Sequence, residues 1–292
     1  MPLNALLLVL VAAVLHATWN IAAKRAGGDQ RFALLSALMV SVLWAPPALW
    51  LAWDELPRWT PWIWAVVLAS AAVHVLYFSA LLRGYREADL TVVYPVARGS
   101  APLVTAAAAV LLLGEHLGPL GLAGVLGVCV GVFFIAGGPG LWRRGQDAAQ
   151  RARLLTGLRW GALTGGLIAG YSVIDGYAVK VLLVSPVALD WLGNVLRVPL
   201  LLGAARDRVA FMQAARAQWR YALVVAVLGP AAYIAVLYAV TLAPLSHVAP
   251  AREVSMLVAA LLGGKLLGES DRGWRIAGAA MIAAGVVALA LG

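Results

Sequence analysis

Arg98 and Arg252 lie inside apolar runs of roughly twenty residues, where a guanidinium keeps its charge and presents a fork of donors suited to a carboxylate or phosphate. Glu253 adjoins Arg252 and is a natural counter-charge for either arginine. Two readings follow for this trio. It is a structural ion pair joining separate parts of the chain, or it is an anion-binding site beside a carboxylate that carries a coupling proton. Asp175 poses the same choice. It stands four residues after Tyr171, and Asn194 stands three before Arg197, so each pair shares a helix face. Asp175 is either salt-bridged to Arg197 or Arg98, or it titrates and contacts a substrate amine. Near the start, His16, Asn20 and Lys24 recur every four residues with Trp19 beside them, a polar stripe on an otherwise apolar segment. Helix–helix hydrogen bonding explains such a stripe, as does the lining of a cavity, with His16 a further candidate for proton coupling. Lys24, at the segment end, is expected to snorkel. Tyr77, Tyr94 and Tyr233 are read either as buried packing residues or as substrate contacts offering hydroxyls.

The elements that must hold these groups are set by composition. Of the 292 residues, 63% are hydrophobic and 12% charged, with a mean hydropathy of +0.90. A soluble domain carries about 25% charged residues, so much of this surface faces something other than water. About ten segments are long enough to cross a bilayer: 3–23, 33–53, 62–82, 89–113, 119–137, 160–180, 186–204, 220–241, 246–267 and 274–291. None alternates at period two, and a lipid-facing backbone of this length satisfies its own hydrogen bonds only as a helix. The expected fold is therefore an all-α integral membrane protein. Trp44, Trp50, Trp53, Trp59, Trp62 and Trp64 cluster at the second gap, as an interfacial belt does.

The net charge of +9 does not point to nucleic acid, because the basic residues sit in short gaps between apolar runs. They fill alternate gaps: Lys24, Arg25 and Arg31; Arg83 and Arg86; Arg143, Arg144, Arg151, Arg153 and Arg159; Arg206, Arg208, Arg216 and Arg220; Lys265, Arg272 and Arg275. The other side holds Arg58 and Lys180. The positive-inside rule makes the first set cytoplasmic and places both termini outside. The first segment is read as a retained helix rather than a cleaved leader. Cys129 is alone, so no disulfide or cysteine metal cluster is expected within the chain.

The chain repeats itself. At an offset of 154, Arg98 falls on Arg252, Leu103-Val104 on Leu257-Val258, and Leu112-Leu113-Gly114-Glu115 on Leu266-Leu267-Gly268-Glu269. Gly124 meets Gly278 and Gly131 meets Gly285; allowing two extra residues upstream, Tyr77 meets Tyr233 and Lys24 meets Lys180. The units are 1–138, a basic connecting loop 139–159, and 160–292. Five helices per unit is an odd number, so the second repeat is inserted upside down relative to the first. Inverted repeats underlie alternating access, with a site near the midplane where they meet. Glu115 and Glu269 occupy matching helix ends and are read as structural.

These residues resemble a known family. The helix pair ending in Leu-Leu-Gly-Glu, preceded by Tyr94-Pro95 and Pro102, and the opening His16-Ala17-Thr18-Trp19-Asn20 with Lys24, are similar to the EamA-type repeat of the drug/metabolite transporter superfamily. That resemblance implies ten helices and a secondary carrier, often an exporter, in a bacterial inner membrane. Its cargo would be a small polar or amphipathic metabolite, and coupling to protons through Asp175, Glu253 or His16 is one option. Many relatives keep their termini in the cytoplasm, opposite to the charge bias here. Pro102 meets Met256 and Pro250 lies one position off Pro95, so the two copies differ where they bend.

The expected substrate-binding residues are Trp19, Asn20, Tyr77, Tyr94, Arg98, Tyr171, Asn194, Tyr233 and Arg252. Beyond membrane lipids and the solute, no nucleic acid, cofactor or metal is expected, and the chain is a monomer or a homodimer. The glycine clusters 161–170 and 121–131 have the spacing of close helix contacts, not of phosphate loops. An intramembrane enzyme is the main alternative, yet no His-Glu-x-x-His or Gly-x-Ser-x-Gly motif appears. A non-transporting scaffold or sensor is the other, and it would have an apolar, closed centre.

Overall fold

The computed structural model describes residues 1–27, 29–135, 148–262 and 272–292. Among these the regular structure is helical: α1 (Leu3–Ala26), α2 (Gln30–Leu43), α3 (Ala45–Ala52), α4 (Pro61–Glu87), α5 (Leu90–Leu113), α6 (Pro119–Ile135), α7 (Ala148–Lys180), α8 (Pro186–Leu201), α9 (Arg208–Leu242), α10 (Leu245–Ala251), α11 (Val254–Leu262) and α12 (Arg272–Leu291). Local chemistry fixes the ends. The Asp29 carboxylate accepts from the Arg31 and Phe32 amides to start α2, and Thr60 and Asp207 do the same for α4 and α9. Gly114, with φ of +67°, closes α5 in the left-handed region that a side chain resists.

Two expected segments are not single helices. The segment 33–53 bends by 50° between α2 and α3, where Pro46 and Pro47 lack the amide hydrogens needed to continue the helix. The segment 246–267 breaks between α10 and α11 at Arg252-Glu253, just after Pro250. Helix α7 begins at Ala148, so residues 148–159, expected as loop, form its first turns. Their arginines ride on a helix that projects beyond the apolar stretch.

Among the described residues, five helices can cross a membrane by length and composition, and the bent α2–α3 pair makes a sixth; Pro119–Ile135 and Ile276–Leu291 are shorter apolar helices. The distribution of side chains is inverted relative to a soluble protein. Leu7, Leu68, Leu111, Leu112 and Val287 are exposed, while the centre is filled mostly by alanine and valine. Small residues let helices approach in lipid, where there is no hydrophobic gain from burying leucine. This is a multi-pass membrane protein. Of the tryptophans at the second gap, Trp50, Trp53 and Trp62 are exposed as a belt requires. Trp44 and Trp59 are instead packed in: their indoles donate to the Ala226 carbonyl (3.0 Å) and to Glu55 (3.1 Å).

The principal packed pairs are α1 with α9 and α11, α2 with α8 and α9, α4 with α7 and α8, α5 with α6, α7 and α10, and α12 with α6 and α11. If α1, α2–α3, α4, α5 and α6 are matched in order with α7, α8, α9, α10–α11 and α12, exchanging the two sets maps these pairs onto one another, although the α7–α9 and α8–α9 contacts have no comparable counterpart in α1–α4 and α2–α4. The α6–α12 contact shows it at atomic level. A Cβ built on Gly131 would lie 2.7 Å from the Gly278 carbonyl oxygen, and one on Gly124 would lie 2.8 Å from that of Gly285. These two contacts interchange under the 154-residue offset, the reciprocity expected at a two-fold axis.

The connections sort into two ends. At one end the Met1 ammonium donates to the Ala290 carbonyl (2.8 Å), the Ser185 amide to Glu55 (2.9 Å) and Lys180 to Glu115 (2.8 Å). At the other the Gln218 amide donates to the Ala26 carbonyl (2.9 Å) and the Trp160 indole to Glu87 (2.8 Å).

Candidate functional site

Two groups of buried charge lie between these helix sets. The first forms where α5 meets the break between α10 and α11. Arg98 Nη2 stands 3.0 Å from Glu253 Oε2 and 3.4 Å from the Ser255 hydroxyl. Arg98, Arg252 and Glu253 are 8%, 7% and 1% exposed, so this is an ion pair in the interior. The helix break is what brings Glu253 and Ser255 to Arg98. Pro250 supplies no amide hydrogen, and the chain turns through short-range bonds from Glu253 to Pro250 and from Ser255 to Arg252. Arg252 itself makes no hydrogen bond or ion pair with a described side chain, and its Nε lacks a partner.

The second group is centred on Asp175 of α7. Its carboxylate accepts from the Ser70 hydroxyl (2.5 Å) on α4 and from the Tyr233 hydroxyl on α9, and His74 Nε2 lies 3.9 Å away. The expectation that Asp175 bridges to Arg197 or Arg98 is corrected here: its direct partners are two hydroxyls and an imidazole. His74 Nδ1 donates to the Ser70 carbonyl (2.9 Å), a geometry that leaves Nε2 as the titrating nitrogen. The imidazole stacks on Tyr171 (4.0 Å between centroids, 21°), Tyr77 meets Tyr171 edge-on at 5.6 Å, and Tyr233 stands 6.3 Å from Tyr171. His74, outside the expected site, is thus within it.

Asp190 was the other residue missed. It is buried in α8, one turn before Asn194, whose amide donates to the Asp190 carbonyl (2.8 Å) and carboxylate (3.2 Å); Arg197 Nη1 reaches the Asn194 carbonyl oxygen at 3.4 Å. The spacing 190, 194, 197 on one helix face was the available signal. Ser70 carried none, because a serine in an apolar helix ordinarily bonds its own backbone.

The α1 stripe is partly turned on itself. The Asn20 amide donates to the His16 carbonyl (2.7 Å), whereas Trp19 packs edge-on against His16 (4.9 Å) with its buried indole N–H unpaired. Tyr77 and Tyr233 are half-buried, and Tyr94 is the most open of the expected residues, at 37% exposed. The side chain of Lys24, and Glu269 with the second Leu-Leu-Gly-Glu copy, lie outside the described residues.

Glu115 is structural, and it joins the two helix sets. Its carboxylate accepts from Lys180 and from the Leu245 and Ser246 amides (2.7 and 2.8 Å) at the start of α10. Burial alone would raise this carboxyl; the ammonium and the two amides outweigh it and hold it below the usual carboxylate range.

Residues 3–137 match the EamA-like transporter family. The match covers a little under half of the 292 residues and marks that part as similar to the family. A solved structure described only as a crystal structure of a protein is 17% identical, with a TM-score of 0.72 over 100% of this chain and 98% of that one, a likeness of fold. No curated protein matches the chain.

Proposed function

We propose that this protein is a secondary transporter that exports a small polar or amphipathic metabolite across a bacterial inner membrane. It does so by alternating access between two inverted five-helix repeats. The carrying observation is the pair of charged groups, Arg98–Glu253–Arg252 and Asp175–Asp190–Arg197, buried between the two helix sets. Five of these six ionisable side chains are buried and Arg197 is half-buried; charges at such depth are costly, and in membrane proteins they mark solute and proton paths. Three features support ten crossings in two repeats: the exchange of helix pairs, the reciprocal glycine contacts, and the alternation of connections between two ends. With both termini at one end, the number of crossings is even.

Rocking one set against the other has a physical hinge in the α10–α11 break, where the backbone is already released from helical bonding. The buried carboxylate Asp175 and the facing His74 are the groups through which a proton would couple, with Glu253 and His16 the other candidates. A scaffold or sensor would have an apolar centre, which the two charged groups disfavour. The deciding experiment is uptake of a metabolite pool by sealed proteoliposomes. Saturable, protein-dependent accumulation of a solute is expected; folded protein that moves nothing from the pool would sink the transporter reading. For orientation, cysteines at Gly203 and Gly118, both in open space, are placed in a Cys129→Ser background. Gly118 is expected to label from outside intact cells and Gly203 only after permeabilisation; the reverse pattern would invert the topology.

A further inference from the structure

We infer that Arg252, and not its repeat mate Arg98, is the seat of an anionic group on the solute, so that the cargo is an organic anion with a flat apolar body. The inference rests on the transport reading above and adds the chemical class.

Charge balance comes first. Two guanidinium groups, 8% and 7% exposed, have one adjoining carboxylate, Glu253, leaving one of them without a carboxylate in direct contact. Glu253 is 3.0 Å from Arg98, which also reaches Ser255, so Arg98 is the neutralised member. Arg252 has five N–H donors and no hydrogen-bonded or ion-paired partner among the described residues. A buried charge left unpaired is destabilising by several kcal/mol unless something completes it, and what completes a free guanidinium is an acceptor-rich anion.

The neighbours of Arg252 point the same way. The carboxylate groups at Asp175 and Asp190 lie with Arg197 in the second cluster; Asp175 also feels the charge of Arg252, but without a hydrogen bond or ion pair to it. Tyr171 and Tyr233 are within electrostatic reach of Arg252, and His16 of both Arg252 and Arg98. Beside His16 the Trp19 indole holds a second unpaired donor. Tyr171 stacks with His74 and meets Tyr77 edge-on, an aromatic wall suited to a flat body. The helix break supplies the last element, since Arg252 sits on the backbone that must move. An anion bound there joins the charge to the hinge, which is how a solute would gain differential affinity for two states.

The test uses the full chain purified in detergent, with 3-phenylpropionate, phenyl phosphate and 2-phenylethylamine as probes, read by the shift in thermal unfolding and by intrinsic tryptophan fluorescence. The two anions are expected to stabilise the protein at concentrations at least tenfold below those needed for the amine. Arg252→Gln is expected to weaken anion binding tenfold or more, and Arg252→Lys, which keeps the charge but loses the fork, by less. Equal or tighter binding of the amine by the wild-type protein overturns the proposal, even if Arg252→Gln does not fold. So does an Arg252→Gln protein that folds and binds the anions unchanged. Binding without flux in proteoliposomes would sustain the anion site while rejecting transport; flux of a cation through a site indifferent to Arg252 would do the reverse.

Discussion

The contact between α6 and α12 and the contact between α5 and the α10–α11 break both involve residues that recur at the 154-residue offset, yet they treat it differently. In the first, Gly124 approaches Gly285 and Gly131 approaches Gly278, and exchanging the repeats reproduces the contact. In the second, equivalent arginines have unequal surroundings: α5 runs unbroken past Arg98 through two prolines, whereas the second copy breaks at Arg252 and turns Glu253 onto Arg98. Packing glycine against glycine has one solution for both copies. Two arginines sharing one carboxylate have two, and the chain holds one of them. The α6–α12 contact is therefore reciprocal, while the junction of α5 with the α10–α11 break is not, and that imbalance is what the anion proposal uses.

The largest expected effect tests that imbalance. Arg98→Met strands Glu253 without its close partner and should cost about 3–5 kcal/mol in thermal or denaturant unfolding in detergent, whereas Arg252→Met should cost little or stabilise. Equal losses would mean that the two arginines are equivalent after all. Next come Gly131→Val and Gly278→Val, which push a branched side chain into facing backbone. Each should cost about 1–3 kcal/mol, and by nearly the same amount if the contact is reciprocal. A difference beyond 1 kcal/mol between them would break the comparison from the other side.

Glu115→Gln weakens the lock between Lys180 and the start of α10, by about 1–3 kcal/mol. Because the Glu115 carboxyl titrates below its ordinary range, near 4.3 in unfolded chains, its contribution is fully present above that value and is lost as pH falls through the lower, folded value. The stability gap between wild type and variant should hold constant from pH 7 to about 5 and close at more acidic pH. A gap that widens on acidification would contradict the assignment. The smallest change is Tyr233→Phe, which removes one hydroxyl from Asp175 and should cost about 0.5–1.5 kcal/mol; Ser70→Ala should act similarly. Their combination reports whether the two hydroxyls act as one network, since coupled partners are non-additive.

Much of the architecture was legible in the sequence because it depends on short-range physics. Apolar length sets which segments are helical, the gaps set their ends, and the 154-residue offset names Arg98 and Arg252 as equivalents. The prolines at 46 and 47 announce the α2–α3 bend, though hydropathy alone reads straight through it. The start of α7 was not legible, because arginines on a helix that emerges from the membrane look like loop. Ser70, His74 and Asp190 were missed because their roles depend on partners on other helices: 105 residues separate Ser70 from Asp175.

The sequence by itself determined that this is a helical membrane chain with residues that recur at an offset of 154, and with charges that the interior must accommodate. Hydropathy and repetition are properties of residues in order, and lipid leaves the backbone few alternatives. Only the tertiary structure decided which charges neutralise one another. Glu253 is adjacent to Arg252 in the chain but closes on Arg98 in space, because the helix breaks between them and α5 lies across the break. The sequence left Glu253 able to pair with either arginine; packing gave it to Arg98 and left Arg252 without a direct side-chain partner among the described residues.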